Sequence, residues 1–521
     1  MADGTSNWPD PAPRPGLAAA DFTRVGYGGI GDGHNSFAHS MAWFKGRIYV
    51  GATRSNLCML RHQTSYTETP LKVWPIECPE TRDEFYATVD RRAQIWAHDP
   101  ADHSWERVYI APEVLASDGN MVGRDIGYRS MEVFHGPATS EPALYVSTWA
   151  PGRAPDGGLI LRSTDGRNFE PVTPPGIIDD SFATTRSLTT FKGRMHFAPT
   201  AQRDRKGTGK GDQQNYARPV IFAADSPEEG NWEIVNEPAF GDETNRGIFT
   251  LAAANDQLYA GTLNLDGLQV WVTDGTLKNG GPEYVWRKVC EAGAGRGPLN
   301  QAVASMCGFR GALYVGTGIQ GGGNDRVNKV GPAAAEILRI NADDSVDVIV
   351  GDRDDSGREP LSGLPAGFGQ FFNGYMWSMA EYDGWLYCGT YDSSITLRWA
   401  KYDTAPTRVQ RLMDLVGTEN LIDVEGGADL WRSADGDNWL PVNRRGFGNP
   451  YNWGFRNLVS TPNGLFVGTA NVFGPKVAVP GDGPEGWVYQ DNPFGGMELW
   501  QGSFDDVPAA RFPTGAKMVT Y

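Results

Sequence analysis

The stretch SMAWFKGRIYVGAT, from Ser40 to Thr53, decides the fold of this chain, because versions of it return six more times. They begin at Ser130 (SMEVFHG, then ALYVST), Ser187 (SLTTFKGRMHFAPT), Thr250 (TLAAANDQLYAGT), Ser305 (SMCGFRGALYVGT), Ser378 (SMAEYDGWLYCGT) and Asn457 (NLVSTPNGLFVGT). Each copy joins two short alternating runs of apolar, β-branched and aromatic residues through a turn that carries Gly, Asn-Gly or Asp-Gly. That is the signature of a β-hairpin, whose strands are termed A and B.

Working outward, a weaker pair of runs follows each hairpin. The first, strand C, is AQIWAHD around Trp96, LILRSTDG around Ser163, VIFAADS around Asp225, LQVWVTDG around Asp274, EILRINADD around Arg339, DLWRSADG around Ser433 and MELWQG around Trp500. Strand D follows at Trp105, Phe169, Trp232, Trp286, Val346 and Trp439, and is missing after MELWQG. FTRV at Phe22 fits the D pattern and directly precedes the first A strand. The reading is an all-β protein, a seven-bladed β-propeller with four antiparallel strands per blade. Such small sheets bury both faces only against one another, and here the N-terminal strand closes the ring by completing the last blade.

Composition agrees with one domain spanning residues 1–521. The 66 Gly and 35 Pro suit many tight turns, and 17 Trp supply bulk between sheets. No apolar run is long enough to cross a membrane as a helix, and the start MADGTSNWPDPAPRPG lacks the basic and apolar regions of a secretory signal. A net charge of −17 disfavours nucleic acid and anionic membranes as partners. The five cysteines, Cys58, Cys78, Cys290, Cys307 and Cys388, are unpatterned and read as reduced core thiols of a cytoplasmic monomer. Only Cys58 and Cys78, within one insertion, are placed to pair or react.

In a propeller the D–A and B–C connections share one face of the ring, so insert lengths map function. Long B–C segments fall at about 53–92, 201–218, 318–335, 391–428 and 470–496, crowding one end of the axis, and long loops in compact domains are commonly functional. Five positions before each Ser stand Asn35, Asp125, Phe182, Asn245, Asn300, Asn373 and Asn452, a regularity that reads as a turn entering strand A.

A substrate has no sevenfold symmetry, so function is sought where the copies disagree. Immediately before the Ser position stand His39, Arg129, Arg186, Phe249, Ala304, Trp377 and Arg456. The three arginines with His39 form one arc, facing Phe249 and Trp377 across the ring. Arg129, Arg186 and Arg456 are candidates to bind a carboxylate, sulfate or phosphate, with Trp377 and Phe249 as further substrate contacts. The alternative is that these arginines bridge acids between blades. Strand C begins at the same face with Glu336, Asp429 and Glu498 in three blades, against Gln94, Leu159, Val220 and Gln269 in the others. With His39 these acids are the candidate catalytic groups for proton transfer, or alternatively partners of arginines and loop amides.

STDGRNF from Ser163 and SADGDNW from Ser433 resemble the Asp-box turns of sialidase-type and other propellers, one residue shorter than the common form. The resemblance implies the fold and no activity. Seven histidines without a ligand spacing give no metal site, and no cofactor is expected. GYGGIGDG from Gly26 and RKGTGKGD from Arg205 look like phosphate loops but lack the Lys-Ser or Lys-Thr ending. The second reads as a lid whose Arg203, Arg205, Lys206 and Lys210 attract an anion. The functional expectation is an enzyme, of hydrolase, lyase or cyclase/isomerase type, acting on a small anionic organic molecule. The alternative is a non-catalytic platform with exposed aromatic surface around Trp74 to Phe85 or Val472 to Trp487.

Overall fold

A computed structural model of the protein describes residues 15–62, 71–116, 118–173, 182–202, 219–353, 357–403 and 407–508. The chain is built mostly of antiparallel strands. Each repeat phrase forms an A–B hairpin: Asn35–Phe44 with Arg47–Arg54, Gly127–Phe134 with Ala143–Trp149, and Phe182–Phe191 with Arg194–Gln202 in the first three units. Asn245–Ala254 with Gln257–Asn264, Ala302–Phe309 with Ala312–Gly318, Asn373–Tyr382 with Trp385–Asp392, and Gly454–Thr461 with Gly464–Ala470 make the other four. Every B strand pairs outward with a C strand, and C with D. In the seventh unit, strand D is Phe22–Gly26, which pairs antiparallel with Leu499–Gly502. The A strand of each unit packs beside the A strand of the next, and that of the seventh beside that of the first.

The repeated Ser and Gly have one shared cause. Ser40 stands opposite Gly51, Ser305 opposite Gly316 and Ser378 opposite Gly389. Ser40, Ser305 and Ser378 donate Oγ–H to the carbonyls of Tyr128, Met376 and Phe455 in the following unit, and Thr250 does the same to Val303. Ser130 and Ser187 Oγ accept from the amides of Leu188 and Leu251, and Asn457 Nδ2 donates to the Ala38 carbonyl. These seven bonds, 2.5 to 3.2 Å long, stitch each inner strand to its neighbour, the last to the first. The neighbour must come close to make them. A Cβ on Gly51 would meet Ser40 Oγ and lie 2.7 Å from Tyr128 Cβ, and one on Gly389 would lie 2.7 Å from Phe455 Cβ. Apolar clusters fill the seams, as where Tyr49, Ile95 and Ala97 of the first unit meet Leu144, Val146 and Leu161 of the second.

The Asn positions before each A strand anchor a recurring left-handed turn. Asn35, Asn245, Asn300, Asn373 and Asn452 donate Nδ2–H to the carbonyls of Gly29, Ala239, Gly293, Gly367 and Gly446. In three units a phenylalanine of that turn stacks on the strand-C tryptophan: Phe240 on Trp271, Phe368 on Trp431 and Phe447 on Trp500, with centroids 4.3 to 4.7 Å apart. GYGGIGDG is one of these turns, with Gly29 at φ 64°, so its likeness to a phosphate loop is a product of the frame. In the SxDG turns, Asp165 accepts the amides of Arg167 and Asn168, as Asp435 does those of Asp437 and Asn438.

The inserts form a further core against residues of the A and B strands. Two short helices, Asn56–Arg61 and Arg82–Thr88, lie in the first insert, and Cys58 is disulfide-bonded to Cys78. This corrects the expectation of reduced thiols for those two residues, whereas Cys290, Cys307 and Cys388 are free. They are the two cysteines that their shared insertion marked as able to pair. The first insert is tied to those of units six and seven: Lys72 N–H donates to the Trp399 carbonyl, Trp399 Nε1 to Ala478 O and Ala478 N to Pro75 O. Leu57, Ile76, Phe85, Trp399, Val472 and Phe473 pack in one cluster with Phe37, Trp149, Trp377 and Tyr391 of the inner strands. The basic lid expected at Arg203 to Lys210 lies outside the described residues.

Removing residues 1–26 deletes the fourth strand of the seventh unit and uncovers the cluster around Leu465 and Val467. Calorimetry should then show a lower midpoint for the whole domain. An unchanged midpoint would mean that this strand is an appendage.

Candidate functional site

The residue before each Ser position sits at a break in the A–B ladder. Register shifts fall between Ala38 and Ser40, Tyr128 and Ser130, Thr185 and Leu188, Ile248 and Thr250, Val303 and Ser305, Met376 and Ser378, and Phe455 and Asn457. His39, Arg129, Arg186, Phe249, Ala304, Trp377 and Arg456 are thus all bulge residues. A bulge takes a side chain out of strand alternation and re-aims it, a device common beside active sites.

The structure brings the expected arc together. Burial, followed by the charges of Arg129, Arg456 and Arg186, holds the His39 imidazole well below its usual pKa, so it is neutral at pH 7. Its Nδ1 shares a hydrogen bond with Thr53 Oγ1 at 2.5 Å. Each guanidinium lies over a ring: Arg129 over Trp149 at 4.9 Å, Arg186 over Phe249 at 4.1 Å and Arg456 over Trp377 at 5.3 Å. In the last two pairs both partners are bulge residues of adjacent units, so Phe249 and Trp377 lie beside the arginines as platforms for them, which corrects the expectation that they stand across from the arc. Burial, then the neighbouring Arg186, lowers Arg456 to about 9, partly offset by the Tyr375 hydroxyl. Burial lowers Arg186 as well. Guanidinium groups depressed in this way gain on meeting an anion.

Glu336, Asp429 and Glu498 are tied into the frame instead. Each accepts Nδ2–H from the Asn of its own frame: Asn300 to Glu336 at 2.7 Å, Asn373 to Asp429 at 3.0 Å and Asn452 to Glu498 at 2.6 Å. Each also faces an arginine outside the arc, Arg296 at 3.4 Å, Arg444 at 3.5 Å and Arg24 at 3.3 Å respectively. Trp431 and Trp500 add indole N–H bonds to Asp429 and Glu498. Gln94 and Gln269 make the same bonds to Asn35 and Asn245 and to Trp96 and Trp271. A carboxylate and an amide thus fill one structural role.

Two residues near the arc were not singled out by the repeat comparison. Tyr375 lies two positions before the bulge at Trp377, with ring centroids 5.7 Å apart, as Phe37 does before His39 at 5.3 Å. Its counterparts are Gly127, Thr184, Gly247, Ala302 and Gly454. Comparing that column, as the bulge column was compared, would have found it. Asp392, buried at the end of the neighbouring strand, accepts the amide and hydroxyl of Ser394. Burial pushes its carboxyl up to about 8, against those bonds. Among the described residues no group of three or more His, Cys, Asp or Glu could hold a metal ion.

No protein family matches the chain, and no curated protein matches it. Among solved structures it is similar to the Dos1 propeller, with a TM-score of 0.38, 8% identity and coverage of 94% of this chain and 97% of that one. It is also similar to a puromycin-hydrolyzing peptidase of Mycobacterium tuberculosis, with a TM-score of 0.36, 13% identity and coverage of 88% and 60%. A third is CoXyl43, a GH43 β-xylosidase/α-arabinofuranosidase from a compost microbial metagenome, with a TM-score of 0.30, 14% identity and coverage of 65% and 98%. The chain spans 60% of that peptidase and 52% of a Pyrococcus horikoshii acylaminoacyl peptidase.

Two outcomes are expected of the buried acids. Glu498→Ala strands the Arg24, Asn449, Asn452 and Trp500 donors, and chemical denaturation should show a loss of about 3–5 kcal/mol, as for a broken buried pair. Because the folded Asp392 carboxyl titrates near 8, far above an unfolded aspartate, the native state holds an extra proton between about pH 4 and 8. Stability from this group is full below that window and is lost as pH rises through it. Asp392→Asn should therefore gain on the parent protein as pH rises from about 4 to 8. A difference that stays flat with pH would show that Asp392 ionises normally.

Proposed function

We propose that the seven four-stranded units are the blades of a closed propeller ring, and that its axis binds a small anionic organic molecule on which the protein acts as an enzyme. The cyclic seam of seven hydrogen bonds and the pairing of Phe22–Gly26 with Leu499–Gly502 support the ring. The convergence of Arg129, Arg186 and Arg456 on a buried, neutral His39, all four on ladder breaks, carries the function. Arginine forks suit a carboxylate, sulfate or phosphate. A neutral imidazole beside them is the proton acceptor that hydrolysis, elimination and cyclisation or isomerisation all use.

The cap favours an enzyme over a docking platform. Ile76, Phe85, Val472, Phe473 and Val477, which the platform reading exposes, are buried over the axis. A covered polar site excludes water and strengthens its electrostatics. In this proposal Glu336, Asp429 and Glu498 serve the frame and His39 alone of the expected catalytic groups meets the ligand. The Cys58–Cys78 bond is of a kind that persists in oxidising compartments. The proposal therefore places the protein in such a compartment in place of the cytoplasmic expectation.

The test is thermal unfolding in sulfate, phosphate, acetate and benzoate, each against chloride at equal ionic strength. At least one should raise the midpoint of the parent protein saturably. Arg456→Ala should weaken that response about 10- to 100-fold, the value of a charge-assisted hydrogen bond. The reading fails if no anion exceeds chloride, or if the variant responds as the parent does.

A further inference from the structure

Resting on the anion site just proposed, we infer that Tyr375 is a further ligand-binding residue, whose hydroxyl donates its proton to the bound anion beside Arg456 and Arg186. Gly321, Gly322 and Gly323 all have positive φ, at 86°, 81° and 88°, a run that only glycine adopts without strain. This conformation turns the Gly322 amide onto the Tyr375 hydroxyl oxygen at 3.0 Å. The Gly321 amide bears on the same oxygen. The approach is tight, since a Cβ on Gly318 would strike the Tyr375 ring and one on Gly322 would lie 2.6 Å from Tyr391.

With its oxygen accepting backbone N–H, the phenol has a proton left to give. Burial raises its pKa, so at neutral pH the hydroxyl keeps that proton. The groups it acts on are the two guanidinium groups, for the Tyr375 hydroxyl bears electrostatically on both Arg186 and Arg456. Arginine has no acceptor, so the proton cannot be meant for either of them. An anion lying against the arginines is the acceptor that completes the set. The other six positions in this column are Phe37, Gly127, Thr184, Gly247, Ala302 and Gly454, so the phenol is a departure from the repeat, as the arginines are.

The consequence is selectivity. A site of arginines alone binds any anion by charge, whereas an added neutral donor at a fixed position rewards an oxyanion whose second or third oxygen reaches it. Sulfate and benzoate serve as probes, titrated calorimetrically into the parent protein, Tyr375→Phe, and a protein in which Tyr375 is replaced by 3-fluorotyrosine. The parent should bind at least one probe and Tyr375→Phe should bind it about 10-fold more weakly, as for one lost hydrogen bond to a charged group. The fluorinated phenol keeps the oxygen that the Gly322 amide needs but is a stronger donor, so it should bind more tightly than the parent, an effect that a strut for the glycine loop would not produce. Binding within twofold of the parent by Tyr375→Phe, or no gain from fluorination, overturns this inference and leaves the anion site standing. Absence of binding by the parent overturns the anion site and this inference with it.

Discussion

The structure depends on the seam between neighbouring inner strands, where a hydroxyl or amide side chain crosses to the backbone of the next unit. Each such bond is worth only about 1 kcal/mol net, but it fixes the height at which one unit meets the next. Where the neighbour comes closest the backbone opposite is bare, so Ser40, Ser305 and Ser378 face Gly51, Gly316 and Gly389 across the hairpin, whereas Ser130 faces Ser147. Four-stranded units, none able to bury both faces alone, are joined to their neighbours through that repeated contact. The residue one step before the crossing is the one that leaves the ladder. His39 and the arginines thus stand one position before the bond that joins the units.

Much of this was legible in the sequence because the seam recurs. The A and B strands, and the D-type run at Phe22, follow from alternation and spacing, and the arc at His39, Arg129, Arg186 and Arg456 follows from comparing one column of the repeat. The role of the acids was legible only as one of two alternatives, proton transfer or pairing with arginines and loop amides. Glu336, Asp429 and Glu498 occupy the right column, but only the positions of Asn300, Asn373 and Asn452 reveal that glutamine does the same work in other units. Tyr375 escaped because its place is two residues from the column compared, and its meaning depends on three left-handed glycines supplied by a distant insert.

The cap was legible in length and opaque in content. The inserts read as loops, since no period marks them, yet they hold helices, a hairpin and a disulfide around one apolar cluster. That cluster continues into the aromatic residues of the inner strands. Trp377 shows the continuity: one face supports Arg456, and its edge meets Tyr391 and Phe37. The rings beneath Arg129 and Arg456 thus belong to the apolar cluster of the inserts.

The ladder breaks have an evolutionary consequence. A residue that belongs to no strand pair can be exchanged without disturbing the pairing above or below it, and each A–B hairpin has such a place one residue before its seam position. His, Arg, Phe, Ala and Trp already stand at equivalent points of near-identical frames. Such places let side-chain chemistry vary while strand pairing is kept, with packing the remaining constraint where the side chain is buried, as at Phe249 and Trp377.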